Sequence, residues 1–328
     1  MSRKALYLQV PEVSTYTPYG ILFSIISEPL WRWVFNNFIQ IRYAYSWEMF
    51  AFDNHHMLLK NCPGISYNQL PQEIIVAKWG KSLKDVIIES IDLGYYVHIF
   101  VDRYYLSLTD SYKKGHHMHE LFIYGYDLDK DMALVADNFV EQFITAECPF
   151  SELAEGYWYV SDEYDFYTEV RFLKRNTDFE CDINMEQIAA GMQNYLYSKP
   201  TFDLVVEQQC EFGFQALQRL LTDPQNMDTS SSEYRKFDLR AYHLLYEHKL
   251  LMEKRIAYLM DHGYMLYDQR LLDTSADLKH RYLSLRNLVI KYRFKEDEKL
   301  PGSIYAKLQD NLEREQAFIL SCLEKMKA

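Results

Sequence analysis

The chain has 328 residues and a net charge of -12, with 35 Lys and Arg against 47 Asp and Glu, a balance that argues against nucleic acid and anionic membrane as partners. Hydrophobic residues at 48% and aromatics at 16% exclude a disordered chain, and no uncharged apolar run reaches the roughly 18 residues a bilayer needs. At about 150 residues per domain the length predicts two domains.

The opening residues MSRKALYLQVPEVS hold no apolar stretch of signal-peptide length, so a cytoplasmic location is expected. All five tryptophans and most glycines and prolines lie before residue 160, and this part reads as short strands joined by turns. One helix stands out at Ser82 to Asp92, where Ser82 is a plausible N-cap and Leu83, Val86, Ile87 and Ser90 share a face before Gly94 stops it. Tyr95 to Val101 is β-branched and aromatic enough for a buried strand. Two more strands are expected after Gly115, and another pair around Tyr157 to Val160 and Tyr164 to Phe172.

After about residue 180 the pattern turns helical. Asn184, with Asp182 beside it, can cap a helix over Met185 to Tyr197. The longest pattern runs from about Ser232 to His262, with Gly263 at its end. Further helices are expected over Asp277 to Phe294 and, after the Pro301-Gly302 break, Ser303 to Lys325. The expectation is an α+β fold: an antiparallel-sheet domain over residues 1–180, followed by a helical bundle over residues 181–328.

The segment from Gly115 to Asp137 carries the chemistry. It reads as a β-hairpin turning near residues 127 to 130, which makes cross-strand partners of positions whose numbers add to about 256 or 257, as those of His119 and Asp137 do. A carboxylate hydrogen-bonded to an imidazole fixes its tautomer and stabilises the imidazolium, as a general base in acyl transfer requires. The same pairing also suits an ordinary polar pair on a sheet rim.

The runs GYYVHIFVDRYYL and HHMHELFIYGYDLDKDMALVAD resemble the amino-terminal domain of the butirosin biosynthesis protein H family, which is related to papain-like cysteine peptidases of the bacteriocin-processing kind. The resemblance covers roughly residues 10 to 175, and the helical remainder is similar to the companion region of many members, often found beside nonribosomal peptide synthetase genes. It maps the family pattern onto Asp102, His119, Gly125 to Asp127 and Asp137. It implies a papain-like core and transfer of an acyl or aminoacyl group from an acyl or peptidyl carrier protein to a small-molecule amine, or hydrolysis of that thioester, without a cofactor. His119 would be the base and Asp137 its orienter, with Tyr126 and Tyr19 near the substrate.

In one respect the chain departs from this pattern. A papain-like enzyme opens its first helix with cysteine, whose thiol the helix N-terminus acidifies; Ser14 to Ser24 here contains none, and Tyr19 or Ser24 stands nearby. Cys62 precedes Pro63, which is tolerated at a first helical position, so Cys62 stays a candidate nucleophile. A carrier thioester is already activated, so direct transfer with His119 and Asp137 alone is an alternative, as is a non-catalytic protein that docks a synthetase or carrier. Asp102, ending an apolar strand, is a candidate to hold the acceptor amine; an ion pair with Arg103 or a capped turn is the plainer reading.

Other clusters read as structure. Asn54-His55-His56 and His116-His117-His119 lack a metal-ligand spacing. Asp127, Asp129 and Asp131 start like a calcium loop, but Met132 and Asn138 occupy the positions of its glycine and glutamate. The Trp31 to Phe38 stretch suits a packed core or an apolar cleft. The five cysteines form no CxxC, and most are expected to be buried thiols.

Overall fold

The computed structural model describes residues 2–53, 55–139, 142–159, 168–200, 209–226, 237–295 and 299–326. In chain order, β1 (Arg3–Ala5), α1 (Thr17–Ile25), α2 (Trp31–Asn37), β2 (Ile41–Ala44), β3 (Met49–Phe52), α3 (Leu58–Asn61), β4 (Ile65–Leu70) and α4 (Gln72–Trp79) come first. Next are α5 (Leu83–Asp92), β5 (Tyr96–Asp102), β6 (Met118–Asp127), β7 (Met132–Phe139), β8 (Gln142–Pro149), α6 (Phe150–Trp158) and β9 (Val170–Arg175). The last part holds α7 (Met185–Leu196), β10 (Cys210–Phe212), α8 (Gly213–Asn226), α9 (Leu239–Asp261), α10 (Gln269–Lys295) and α11 (Leu300–Lys325). The fold is α+β, with an antiparallel sheet in the first part and helices dominating the second. Among the described residues no helix is long and apolar enough to cross a membrane.

Two compact units result: residues 1–30 with 56–180, and 31–55 with 181–328. In the first, the strands run β4-β9-β5-β6-β7-β8, all antiparallel, with β1 pairing onto the far end of β6. Their alternation sets Val97, Ile99, Val101, Leu121, Ile123 and Val135 in one core with Leu83, Val86, Ile87 and Ile91 of α5 and Leu153 and Tyr157 of α6. Each such aliphatic side chain, fully buried, is worth about 1.5–3 kcal/mol of transfer free energy. The Ser82 hydroxyl caps α5 by accepting from the Asp85 N–H at 3.3 Å, and Gly94 follows at φ +82°, where glycine avoids the strain a side chain would bring. Gly125 answers another constraint: a Cβ there would run into the backbone of Lys4 and Ala5 as β1 crosses β6.

Several elements differ from the expectations. The first unit holds more than one helix: α1 is buried at every position except Pro18, so it shows no 3.6-residue polar stripe in the sequence. Residues 150–158, including Tyr157, are helical rather than extended, because Leu153 and Tyr157 lie one turn apart and face the same core. Val160 and residues 164–167 of the predicted strand pair lie outside the described residues, and β9 begins only at Val170. Helix α9 begins at Leu239, with the Asp238 carboxylate accepting from the Arg240 N–H; the predicted start near Ser232 lies outside the described residues. Among the described residues the longest helix is α10, at 27 residues. Pro301 and Gly302 fall inside the first turn of α11 rather than before it, where the missing N–H of proline costs nothing.

Residues 31–55, counted with the first domain in the sequence, pack with the helices of the second unit. A three-stranded antiparallel sheet β10-β2-β3 forms there. Arg255, fully buried on α9, donates to the carbonyls of Phe35 and Phe38 at 2.7 Å each and so satisfies acceptors at the end of α2 that no helical N–H reaches. On the same helix, Lys249 binds Glu315; Tyr195 and Tyr282 donate to the two oxygens of that carboxylate at 2.6 Å. Asn184 caps α7 through the Gln187 N–H at 3.0 Å, as its sequence position implies.

Candidate active site

The end of the sheet where β5 stops, β6 starts and β7 stops gathers the polar groups. Within β6 and β7, Phe122 lies opposite Ala136 and Tyr126 opposite Ala133, so the hairpin register is displaced by about two residues from the sequence expectation. The cause is a turn over residues 128–131 together with a bulge between Ile123 and Gly125. A displacement of two keeps side chains on their face, whereas one would have inverted them. His119 and Asp137 therefore still meet, as diagonal neighbours, with Nδ1 3.1 Å from Oδ2.

Asp137 is completely buried, and a buried carboxylate must be compensated. Its Oδ1 accepts from the Thr17 hydroxyl and the Asn138 N–H at 2.7 Å each. Its Oδ2 accepts from Arg103 Nη2 at 2.5 Å as well as from His119. Burial alone would raise this carboxyl, but the hydrogen bonds and charges of His119 and Arg103 outweigh it and hold the group below the usual carboxylate range. Thr17 is the first residue of α1, so the N-terminus of that helix lies against the pair.

His119 Nδ1 has two acceptors, Asp137 Oδ2 and the Glu120 carbonyl at 3.0 Å, and one donor, Arg103 Nη2 at 2.9 Å. A carbonyl can only accept, so the two acceptors select the Nδ1–H tautomer. The 2.9 Å approach of Arg103 is then a contact between two donors sharing one carboxylate, because Arg103 Nη2 also serves Asp137 and the Asn138 carbonyl, at 3.2 Å. His119 Nε2 is left with a lone pair and no partner among the described residues, on a side chain 28% exposed. Burial lowers the affinity of the ring for a proton; the Asp137 bond and charge outweigh that, Arg103 pulls the other way, and the net result lies above the ordinary 6.5. His117, its ring 5.6 Å from that of His119, is lowered by burial and then by the His119 and Arg103 charges.

The other sequence candidates lie elsewhere. Cys62 closes α3 instead of opening a helix: its N–H donates to the Leu58 carbonyl and its own carbonyl accepts from Ile65. Its thiol is buried and is not among the four groups around Asp137. Tyr126 sits seven residues along β6 from His119, about 23 Å for an extended strand, and donates to Asp92 at 2.9 Å. Tyr19 is fully buried in α1, edge-on to Tyr16, and Ser24 donates to the Ile21 carbonyl. Asp102 takes the plainer reading. Its Oδ1 accepts from the N–H groups of Tyr104 and His117 at 3.0 Å each, and its Oδ2 pairs with His116 at 2.5 Å. Val101, not Asp102, is opposite His119, so the Asp102 side chain leaves the sheet on the other face. Arg103 pairs with Asp137 rather than with Asp102.

Arg103, Thr17 and Asn138 are the members the sequence reading missed. No local spacing links a residue of the first helix or of the β5 exit to a hairpin; only the strand order does. A cleft of about 550 Å³ in the second unit is lined by Trp33, Asn36 and Asn184 among others and holds none of these groups. Among the described residues no three His, Cys, Asp or Glu side chains converge to hold a metal ion; the side chains of Asn54 and His56 lie outside the described set.

The chain matches no known family model, and no curated protein matches it.

Proposed function

We propose that the protein is an acyl or aminoacyl transferase, or a thioesterase, acting on carrier-protein thioesters in nonribosomal peptide or related secondary-metabolite biosynthesis. The observation that carries this reading is the His119 ring: Nδ1 is oriented by a saturated, buried Asp137, and Nε2 is open. The N-terminus of α1 at the same pair agrees with the resemblance to papain-like enzymes. In direct transfer, Nε2 removes a proton from the acceptor amine as its nitrogen bonds to the thioester carbonyl carbon. The tetrahedral adduct then collapses, the carbon–sulfur bond breaks, and the imidazolium returns the proton to the departing thiolate. No acyl-enzyme is needed, which fits a pair without a thiol beside it. Positioning supplies several kcal/mol of the barrier reduction and a general base a factor of about 10² to 10⁴.

Mass spectrometry of an acylated carrier protein incubated with the chain and an amine tests this. Loss of acyl from the carrier, dependent on His119 and without an adduct on the chain, is the expected result. Equal turnover by wild type and His119→Ala would remove the proposal. One observation favours a non-catalytic docking protein instead: the Thr17 hydroxyl, where a nucleophile would stand, is engaged by Asp137. Binding of the carrier with its acyl group retained is the outcome that reading requires.

A further inference from the structure

The loop between β5 and β6 gathers three aromatic rings around its own lysine. The rings of Tyr104 and Tyr105 stand at 82° with centroids 5.1 Å apart, two walls at nearly a right angle. Lys113 Nζ lies 4.9 Å from the centroid of Tyr104, 5.1 Å from Tyr105 and 5.4 Å from Tyr112, all within the roughly 6 Å over which a ring face attracts a cation. His116 stacks on Tyr104 at 4.5 Å and lies 6.3 Å from Tyr105, and Tyr159 stacks on Tyr105 at 5.5 Å, so both walls are packed by further rings.

Among the described residues Lys113 is set apart from Lys78, Lys81, Lys84 and Lys174 by meeting three rings where each of those meets one. Lys78, Lys84 and Lys130 each reach a carboxylate; among the described residues Lys113 has no carboxylate ion pair and its ammonium meets π faces only. Its backbone takes the left-handed conformation, φ +54°, uncommon for a residue with a side chain, and its N–H donates to the Tyr104 carbonyl at 3.0 Å. The buried Asp102 carboxylate, held under the same loop, adds a negative field: Tyr105 is raised by burial first and by the Asp102 charge next, with Lys113 opposing.

We propose that Tyr104, Tyr105 and Tyr112 form a binding site for a small organic ammonium ion, which Lys113 occupies in the free protein. Lys113 is exposed, on a flexible stem, and can swing out. A quaternary ammonium gives up its hydration more readily than a primary one, so a choline-like cation is the class that displaces it best.

Choline is the probe, with its uncharged carbon isostere neohexanol as the control. Titrations are followed by tyrosine ring resonances on wild type and Lys113→Gln. Emptying the cage should tighten choline binding by about fivefold or more, leave neohexanol weak, and lose the gain in Lys113→Gln/Tyr105→Leu. Should that double variant fail to fold, Lys113→Gln/Tyr112→Leu, altered at a more exposed ring, replaces it. Choline binding by Lys113→Gln no tighter than by wild type, equal binding of neohexanol, or indifference to loss of the ring would overturn the assignment. Binding is read without turnover, so failure here leaves the acyl-transfer proposal where it stands.

Discussion

Asp137 in the first unit and Glu315 in the second are both buried carboxylates with a cation, an imidazole and hydroxyls around them, yet they end differently. At Glu315 both carboxylate oxygens and both nitrogens of the neighbouring imidazole are bonded. Lys249 and Tyr195 serve one oxygen and Tyr282 the other. His248 accepts from Lys249 at Nδ1 and donates from Nε2 to the Ile39 carbonyl, at 2.7 Å each. Burial, then the Lys249 charge, drives His248 well below 6.5, so it stays neutral. At Asp137 the carboxylate has four donors to the three of Glu315, but the imidazole keeps one nitrogen open. Saturation makes a brace; saturation with one accessible lone pair makes a candidate base.

The largest expected effect belongs to the closed cluster. Lys249→Met leaves a buried carboxylate without its cation and should cost about 3–5 kcal/mol in urea unfolding. Lys249→Met/Glu315→Leu should recover much of the loss, since an apolar replacement of the whole pair is often near neutral. A single variant as stable as wild type would mean that Glu315 takes a proton instead, and that the brace is not ionic.

His119→Ala should do the reverse: turnover on an acyl carrier falls about 10² to 10⁴, while stability falls by no more than about 1.5–3 kcal/mol. Asp137 keeps Arg103, Thr17 and the Asn138 N–H. A loss of stability as large as that of Lys249→Met would erase the distinction between brace and base.

The pH dependence sharpens it further. A base with its proton affinity raised by Asp137 should give a rate that climbs with pH to a midpoint above 6.5. Arg103 opposes that rise, so Arg103→Met should move the midpoint to still higher pH. The stability signs follow from the same shifts. The raised His119 contributes fully below its unfolded value and loses its contribution as pH rises through the folded one; the depressed Asp137 contributes above its unfolded value and loses it as pH falls. A pH–rate profile with a proton NMR titration of the His119 ring measures both, and a midpoint at or below 6.5 would contradict the proposed orientation.

The contrast was only partly legible in the sequence. Ser82, Asn184 and Gly94 mark helix ends because their chemistry is local, and the hairpin pairs His119 with Asp137 because face parity survives a displacement of two. Arg103 and Thr17 reach Asp137 across 34 and 120 positions, a distance no periodicity spans. The fully buried α1 lacks a polar stripe, and Tyr157 belongs to a helix whose aromatic residues look strand-like when read singly. Glu315 and Lys249 sit among helical charges that resemble a solvated face until α7, α9, α10 and α11 close over them.

Asp102 stands between the two kinds of cluster, and the smallest effect is expected there. Its carboxylate accepts from two backbone N–H groups and from His116, whose side chain is 70% exposed. Asn retains an oxygen for the N–H groups and forfeits only a solvent-screened charge pair, so Asp102→Asn should cost about 1 kcal/mol or less. Burial raises this carboxyl, but the His116 bond and the two N–H groups outweigh it and leave it depressed. Its contribution is therefore present above the ordinary carboxylate value and disappears as pH falls through the folded one; unfolding followed between about pH 5 and 2 should be flatter in the variant. Turnover should be unchanged, because Asp102 faces away from His119. A folded Asp102→Asn protein whose turnover or acceptor affinity collapsed would restore to this strand end the amine-holding role that its sequence position advertises, and would make the site wider than the Asp137 pair.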